Sequence, residues 1–162
     1  MPRHRFFYLL NLARHRVFKH ADRVAQEELG LSAAQLGALT VIGARPGRSQ
    51  RELAQTLGYN ESAITALMRR MREAELIERT PSVADRRVRT IDLSPKGREL
   101  VRASKPLLGR LQARLTDGFT DDELDVVARF LGAARTRFSQ DPRSEPLGPE
   151  EPRPEEPSSE DP

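Results

Sequence analysis

Within residues 49–98 the spacing of apolar residues changes from a period near 3.6 to a period of 2 and then back. Ser49 is placed to cap a short helix in which Leu53, Ala54 and Leu57 recur at helical spacing, and Gly58 supplies the left-handed residue that ends it. A second helix follows almost at once, with Asn60 as its cap and Ile64, Leu67, Met68 and Met71 as its buried stripe. Ser62, Thr65, Arg69 and Arg72 fall off that stripe. Two helices joined by so short a turn predict a helix-turn-helix, whose second helix has the dimensions of the DNA major groove.

Beyond that helix Leu76, Ile77 and Arg79 lead to Pro81, a basic segment follows, and Thr90, Ile91, Asp92 and Leu93 alternate as a returning strand. The expectation is a hairpin wing whose turn carries Asp85, Arg86, Arg87 and Arg89, a cationic ribbon suited to the minor groove or the flanking phosphates. Ser94 then caps a further helix with Pro95 at its first position.

Charge agrees with an anionic partner once it is divided along the chain. The full sequence has 27 Lys+Arg and 24 Asp+Glu, but two of the basic and eight of the acidic residues fall in 139–162. The first 138 residues therefore hold 25 against 16, a net of +9. There is no cysteine, which excludes disulfides, thiolate zinc sites and cysteine redox sensing. No run of about 18 apolar residues suggests a membrane span, and the expected location is cytoplasmic. No Gly-rich phosphate loop, metal-ligand spacing, nucleophile elbow or paired carboxylate in an apolar setting points to an enzyme or a cofactor.

The flanking segments read as helices. Residues 6–29 carry Phe7, Leu10, Ala13, Val17, Ala21, Val24 and Ala25 at spacings of three and four, and the first two turns are apolar nearly all round. Such a helix needs cover on more than one side, which predicts a second subunit. His15 and His20 stand about 140° apart on it, a poor arrangement for one metal. Gly30 ends this helix, and Ser32 caps the next, with Leu36, Leu39 and Ile42, before a turn at Arg45, Pro46 and Gly47. After Ser94 a long helix is expected through Leu100, Val101, Leu107, Leu108, Leu111 and Leu115, kinked at Pro106. Thr120 and Glu123 form a capping box for a last helix expected to bury Leu124, Val127, Phe130, Leu131 and Phe138. Beyond it, seven of the twelve prolines lie among glutamates and serines, a composition with too little apolar surface to order itself.

The expected fold is thus mainly α with a small β-wing. It divides into an N-terminal dimerisation helix (1–30), a winged helix-turn-helix (31–94), C-terminal dimerisation helices (95–138) and an acidic Pro/Glu-rich tail (139–162).

The order of these elements resembles the multiple-antibiotic-resistance regulator (MarR) family over residues 5–138, most specifically in Asp85-Arg86-Arg87 followed by Ile91, Leu93, Ser94 and Lys96-Gly97. The resemblance implies a homodimeric winged-helix transcription factor, usually a repressor, often released from DNA by a small aromatic or phenolic ligand. It also implies that Asp85 and Arg87 brace the wing by a salt bridge while Arg86 or a neighbour reaches the minor groove. Two positions depart from the family pattern: Glu75 stands where many relatives have glycine, and Glu61 where relatives often have a basic residue.

On this reading Asn60, Glu61, Ser62, Thr65 and Arg69 are the recognition-helix candidates. Arg48, Arg51, Arg72, Arg86, Arg87 and Arg89 are placed for phosphates and the wing, with Asp85. Tyr8, His15 and Arg16 are candidates for an effector cleft between the dimer layer and the winged domain. The partners expected are double-stranded DNA with pseudo-palindromic half-sites, a second copy of the chain and a small aromatic effector, with no membrane. The alternative is a ligand-independent architectural or nucleoid-type protein that coats DNA through phosphate contacts.

Overall fold

The computed structural model of the chain describes residues 5–81 and 89–139. In chain order the elements are α1 (Phe6–Leu29), α2 (Ala33–Ala44), β1 (Arg48–Ser49), α3 (Gln50–Leu57), α4 (Glu61–Glu73), β2 (Ile77–Pro81), β3 (Arg89–Leu93), α5 (Pro95–Thr116) and α6 (Asp121–Ser139).

Local chemistry sets most of the boundaries. Gly30 and Gly58 adopt φ of 66° and 71° after α1 and α3, the left-handed conformation glycine enters without a Cβ penalty. Ser32 and Gln35 close a reciprocal capping box at α2, Ser49 and Glu52 at α3, and Thr120 and Glu123 at α6. Asn60 caps α4 and Ser94 caps α5, each accepting from a backbone N–H of the first turn. The helix α5 runs through Pro106 as one element, with the Ser104 hydroxyl donating to the Val101 carbonyl just before it.

The strands form an antiparallel sheet in the order β1-β3-β2, with Ile77 opposite Leu93, Arg79 opposite Ile91, and Ile91 also opposite Arg48. The two-residue β1 goes beyond the expected Arg45-Pro46-Gly47 turn. So short a strand has no sequence signature and exists because β3 offers it an edge. Asp92 ties the sheet to that turn: one carboxylate oxygen accepts from the Gly47 N–H at 2.8 Å and the other from the Thr80 hydroxyl at 3.0 Å.

The main core lies under the helix-turn-helix. Leu39, Ile42, Leu53, Ile64, Leu67, Met68, Met71, Leu76, Ile77, Ile91 and Leu93 are all buried in one cluster. Every predicted stripe residue of α4 is in it, and so are the two apolar residues of β3. A smaller cluster of Ala25, Leu36 and Leu107 joins α1, α2 and α5, and the Glu28–Arg110 ion pair closes its rim.

The terminal helices carry much of their apolar surface on the outside of the single chain. Of the seven positions predicted for the α1 stripe only Ala25 is buried, and Phe7 is 90% exposed. Val127, Phe130, Leu131 and Phe138, expected to be buried by α6, are exposed as well, and Leu124 is half-buried. Leu115 of α5 is also exposed. The physical reason is that, among the described residues, neither core cluster extends to α6 or to the first half of α1. The Phe6 and Phe130 rings do meet, with centroids 5.3 Å apart, joining the start of α1 to the middle of α6. No helix among the described residues is long and apolar enough to cross a membrane.

Candidate nucleic-acid interface

Burying Ile64, Leu67, Met68 and Met71 of α4 turns Ser62, Thr65, Arg69 and Arg72 outward at steps of three, four and three, and all four are exposed. This stripe is the outer face of the second helix of the helix-turn-helix. Glu61 precedes it, exposed in the first turn, where a carboxylate is favoured by the helix dipole.

The candidate residues are engaged to different degrees. Asn60 Oδ1 accepts both from the Ala63 N–H at 2.7 Å and from the Ser62 hydroxyl at 2.9 Å, so its role is to start the helix and to orient Ser62. Arg69 pairs with Glu73 at 3.2 Å, with both side chains more than half exposed. An exposed pair of this i,i+4 type contributes about 0.3–0.5 kcal/mol and yields readily to a stronger anion. Arg48 donates to the Thr56 hydroxyl at 2.7 Å, which holds its guanidinium along α3. Arg51 and Arg72 are exposed on α3 and α4, and their side chains make no hydrogen bond or ion pair among the described residues. Asp85, Arg86 and Arg87 lie outside the described residues, and Arg89 is described only as the first residue of β3.

Two residues that sequence reasoning missed complete this surface. Gln50, the first residue of α3, donates from Nε2 to Thr65 Oγ1 at 2.8 Å, and its Oε1 accepts from the Arg79 guanidinium at 2.7 Å. Arg79 sits at an alternation position that matches Ile77, on the sheet face where Ile77, Ile91 and Leu93 are buried. Its side chain leaves the core at the sheet's end and reaches across to α3. An arginine at an inward-facing strand position was the available signal, since period 2 calls for an apolar residue there.

The electrostatics follow the caps. The Ser49 hydroxyl and then its N–H hold the Glu52 carboxyl below the usual carboxylate range, with a smaller contribution from Arg48. Burial pushes the Tyr59 phenol up, against the opposing charge of Arg70. No group of three or more histidines, aspartates or glutamates among the described residues could hold a metal ion.

Tyr8, His15 and Arg16 are all exposed on α1. The structure does not bring them to the cleft of about 550 Å³ that opens between the end of α1, the α4–β2 link and the start of α5. That cleft is lined instead by residues such as Glu28, Leu31, Leu76, Lys96 and Leu100.

Comparison with known proteins gives a consistent result. Residues 29–88 match the model described as MarR family. A transcriptional repressor, CouR, bound to a 23-mer DNA duplex is 34% identical, with 78% of this chain and 89% of that chain covered and a TM-score of 0.67. The S. aureus MepR–DNA complex is 21% identical over 82% and 95% of the two chains, at a TM-score of 0.73. CouR from Rhodococcus jostii RHA1 bound to p-coumaroyl-CoA is 23% identical over 81% and 92%, at a TM-score of 0.75.

Proposed function

The chain belongs to the MarR family of winged-helix, DNA-binding transcription regulators, and from that premise we propose that it is a homodimeric, sequence-specific repressor relieved by a small ligand. The observation that carries the DNA reading is the exposed stripe Ser62, Thr65, Arg69 and Arg72 standing opposite a fully buried apolar stripe on α4. Hydroxyls and a guanidinium at base edges discriminate sequence, each good bidentate pair by roughly 1–3 kcal/mol. Arg48, Arg51 and Arg72, with Arg86, Arg87 and Arg89 of the wing, supply the phosphate contacts that fix register.

Dimerisation rests on the exposed apolar residues of α1 and α6. The division into dimer helices (1–30 and 95–138) and a winged domain (31–94) follows, with 139–162 as an appended acidic segment. Two recognition helices related by a two-fold axis read a pseudo-palindrome with half-sites about one helical turn apart. An aromatic or phenolic effector is supported by the relative that holds p-coumaroyl-CoA. It would act by binding one spacing of the two recognition helices better than the other. Tyr8, His15 and Arg16 contact it only where a second subunit closes a cavity over α1. The protein works in the cytoplasm, where its DNA is.

The test is binding of the purified protein to the DNA upstream of its own gene, against a random duplex of equal length, across a salt series. The expected result is a specificity ratio above about 10³ and a footprint on a pseudo-palindrome. Equal affinity for both duplexes, lost together as salt rises, would overturn it in favour of an architectural protein.

A further inference from the structure

Thr65 differs from the other threonines that form side-chain hydrogen bonds within the described helices. Thr40, Thr56, Thr116 and Thr136 each donate the hydroxyl proton to the carbonyl four residues earlier, at 2.8–3.1 Å. Thr65 has no such bond among the described residues; its Oγ1 instead accepts from Gln50.

The direction of that bond is fixed from a distance. An amide side chain can be turned either way, but arginine has five donors and no acceptor. With the Arg79 guanidinium 2.7 Å away, the Gln50 carbonyl must face Arg79, and its NH₂ must therefore face Thr65. One lone pair of the Thr65 oxygen is thus taken on the protein side, and its proton, with no acceptor among the described residues, is left for whatever lies outside α4.

Resting on the DNA-binding reading above, we propose that Arg79 is a positioning residue which, through Gln50, makes Thr65 a hydrogen-bond donor and so selects against cytosine at one base of each half-site. Guanine, adenine and thymine each present at least one acceptor in the major groove (O6 and N7, N7, and O4), whereas cytosine presents only its N4 donor. Arg79 sits on β2 and Thr65 on α4, so the root of the wing sets how the recognition helix reads.

The polarity can be reversed without removing Thr65. In Gln50→Glu both carboxylate oxygens accept, one from Arg79 and the other from the Thr65 hydroxyl, which must now turn its proton inward. Thr65 then offers only lone pairs outward and favours the bases that carry a major-groove donor, cytosine and adenine.

The experiment is selection from a randomised duplex library with the full chain, alongside Thr65→Val, Arg79→Met and Gln50→Glu, each checked for native helicity and melting by circular dichroism. Wild type is expected to enrich a two-fold motif in which cytosine is disfavoured at one position, by roughly threefold to tenfold, the scale of a single hydrogen bond. Thr65→Val flattens that position, Arg79→Met weakens its preference with the rest of the motif retained, and Gln50→Glu moves it toward cytosine or adenine while lowering affinity generally through the added charge. Arg79→Met and Gln50→Glu profiles that match wild type at the position Thr65→Val alters would overturn the proposal, as would a Thr65→Val profile with no altered position, and in both cases the enriched motif itself leaves the DNA-binding reading standing. A wild type that enriches no motif would overturn that reading, and this proposal with it.

Discussion

Glu75 has φ of 59°, the only non-glycine residue among those described with a positive φ. It lies where α4 must stop within two residues so that Leu76 and Ile77 can turn into the core. A Cβ in this conformation crowds the following carbonyl, at roughly 1–2 kcal/mol. The surroundings hold the residue there: the Ser94 hydroxyl donates to the Glu75 carbonyl at 2.6 Å, Lys96 Nζ donates to the Ala74 carbonyl at 2.9 Å, and the Ser94 N–H donates to the Leu76 carbonyl at 3.1 Å. Glu75→Gly should therefore stabilise the protein by about 0.5–1 kcal/mol after glycine's larger unfolded-state entropy is deducted, seen as a raised denaturant midpoint with an unchanged slope. Its counterpart is Gly97, where a Cβ would collide with the Leu76 carbonyl and press on Leu93. Gly97→Ala should cost about 1–3 kcal/mol, since the obstacle is backbone that is itself held by Ser94. An alanine variant as stable as wild type would mean that α5 can slide along the α4–β2 link. Glu75 could be singled out from the sequence because the family pattern has glycine there. Arg79 was legible only in part: an arginine breaking the period-2 alternation after Ile77 stands out, but its reach to Gln50 depends on a register with Ile91 that no local pattern contains.

At the scale of elements, the helices were legible because their ends are local. A serine, asparagine or threonine followed by apolar residues at steps of three and four is a self-contained signal, and the caps at Ser32, Ser49, Asn60, Ser94 and Thr120 all form. The first strand was not legible, because Arg48 and Ser49 become a strand only through β3, some forty residues on. The caps also carry a pH dependence. The Glu52 and Glu123 carboxyls are both held below the usual range, Glu52 chiefly by the Ser49 hydroxyl and Glu123 chiefly by the Thr120 N–H. A carboxyl whose pKa is lower folded than unfolded contributes stability that is present in full above its unfolded pKa. That contribution is lost as pH falls through the folded value. Stability should thus decline as these groups protonate, and Glu52→Gln, which keeps an acceptor at the third helical position, should flatten the acid limb of denaturant midpoint against pH. Ser49→Ala, which removes the hydroxyl from the box, should cost about 0.5–2 kcal/mol at neutral pH and flatten the same limb. An acid limb unchanged in Glu52→Gln would assign the loss to other carboxylates.

For the whole molecule the question is what the described residues leave uncovered. Phe7, Val126, Val127, Phe130 and Leu131 are exposed large apolar residues on α1 and α6, and the Phe6–Phe130 contact joins the two helices into one surface. The sequence pointed to such a surface through the all-round apolar start of α1 and the apolar stripe of the last helix, since periodicity reports which face is apolar and not which chain covers it. A second copy is the economical cover: an isologous interface uses the same patch twice, so each substitution acts twice. Burying one phenylalanine is worth roughly 1.5–3 kcal/mol, and Phe130→Glu replaces it with a charge in both subunits, which should lower dimer affinity by several orders of magnitude. The winged domain should survive, since neither core cluster includes a residue of α6. Sedimentation equilibrium should then find a dimer for wild type and a monomer for the variant at the same concentration, with the helical circular-dichroism signal largely retained. Affinity for a duplex with two half-sites should fall sharply, while affinity for a single half-site stays the same, because α4 is untouched. A monomeric wild type, or a variant that stays dimeric, would place the dimer surface elsewhere on the chain. A monomeric variant that still binds the two-half-site duplex as tightly as wild type would separate dimerisation from operator recognition altogether.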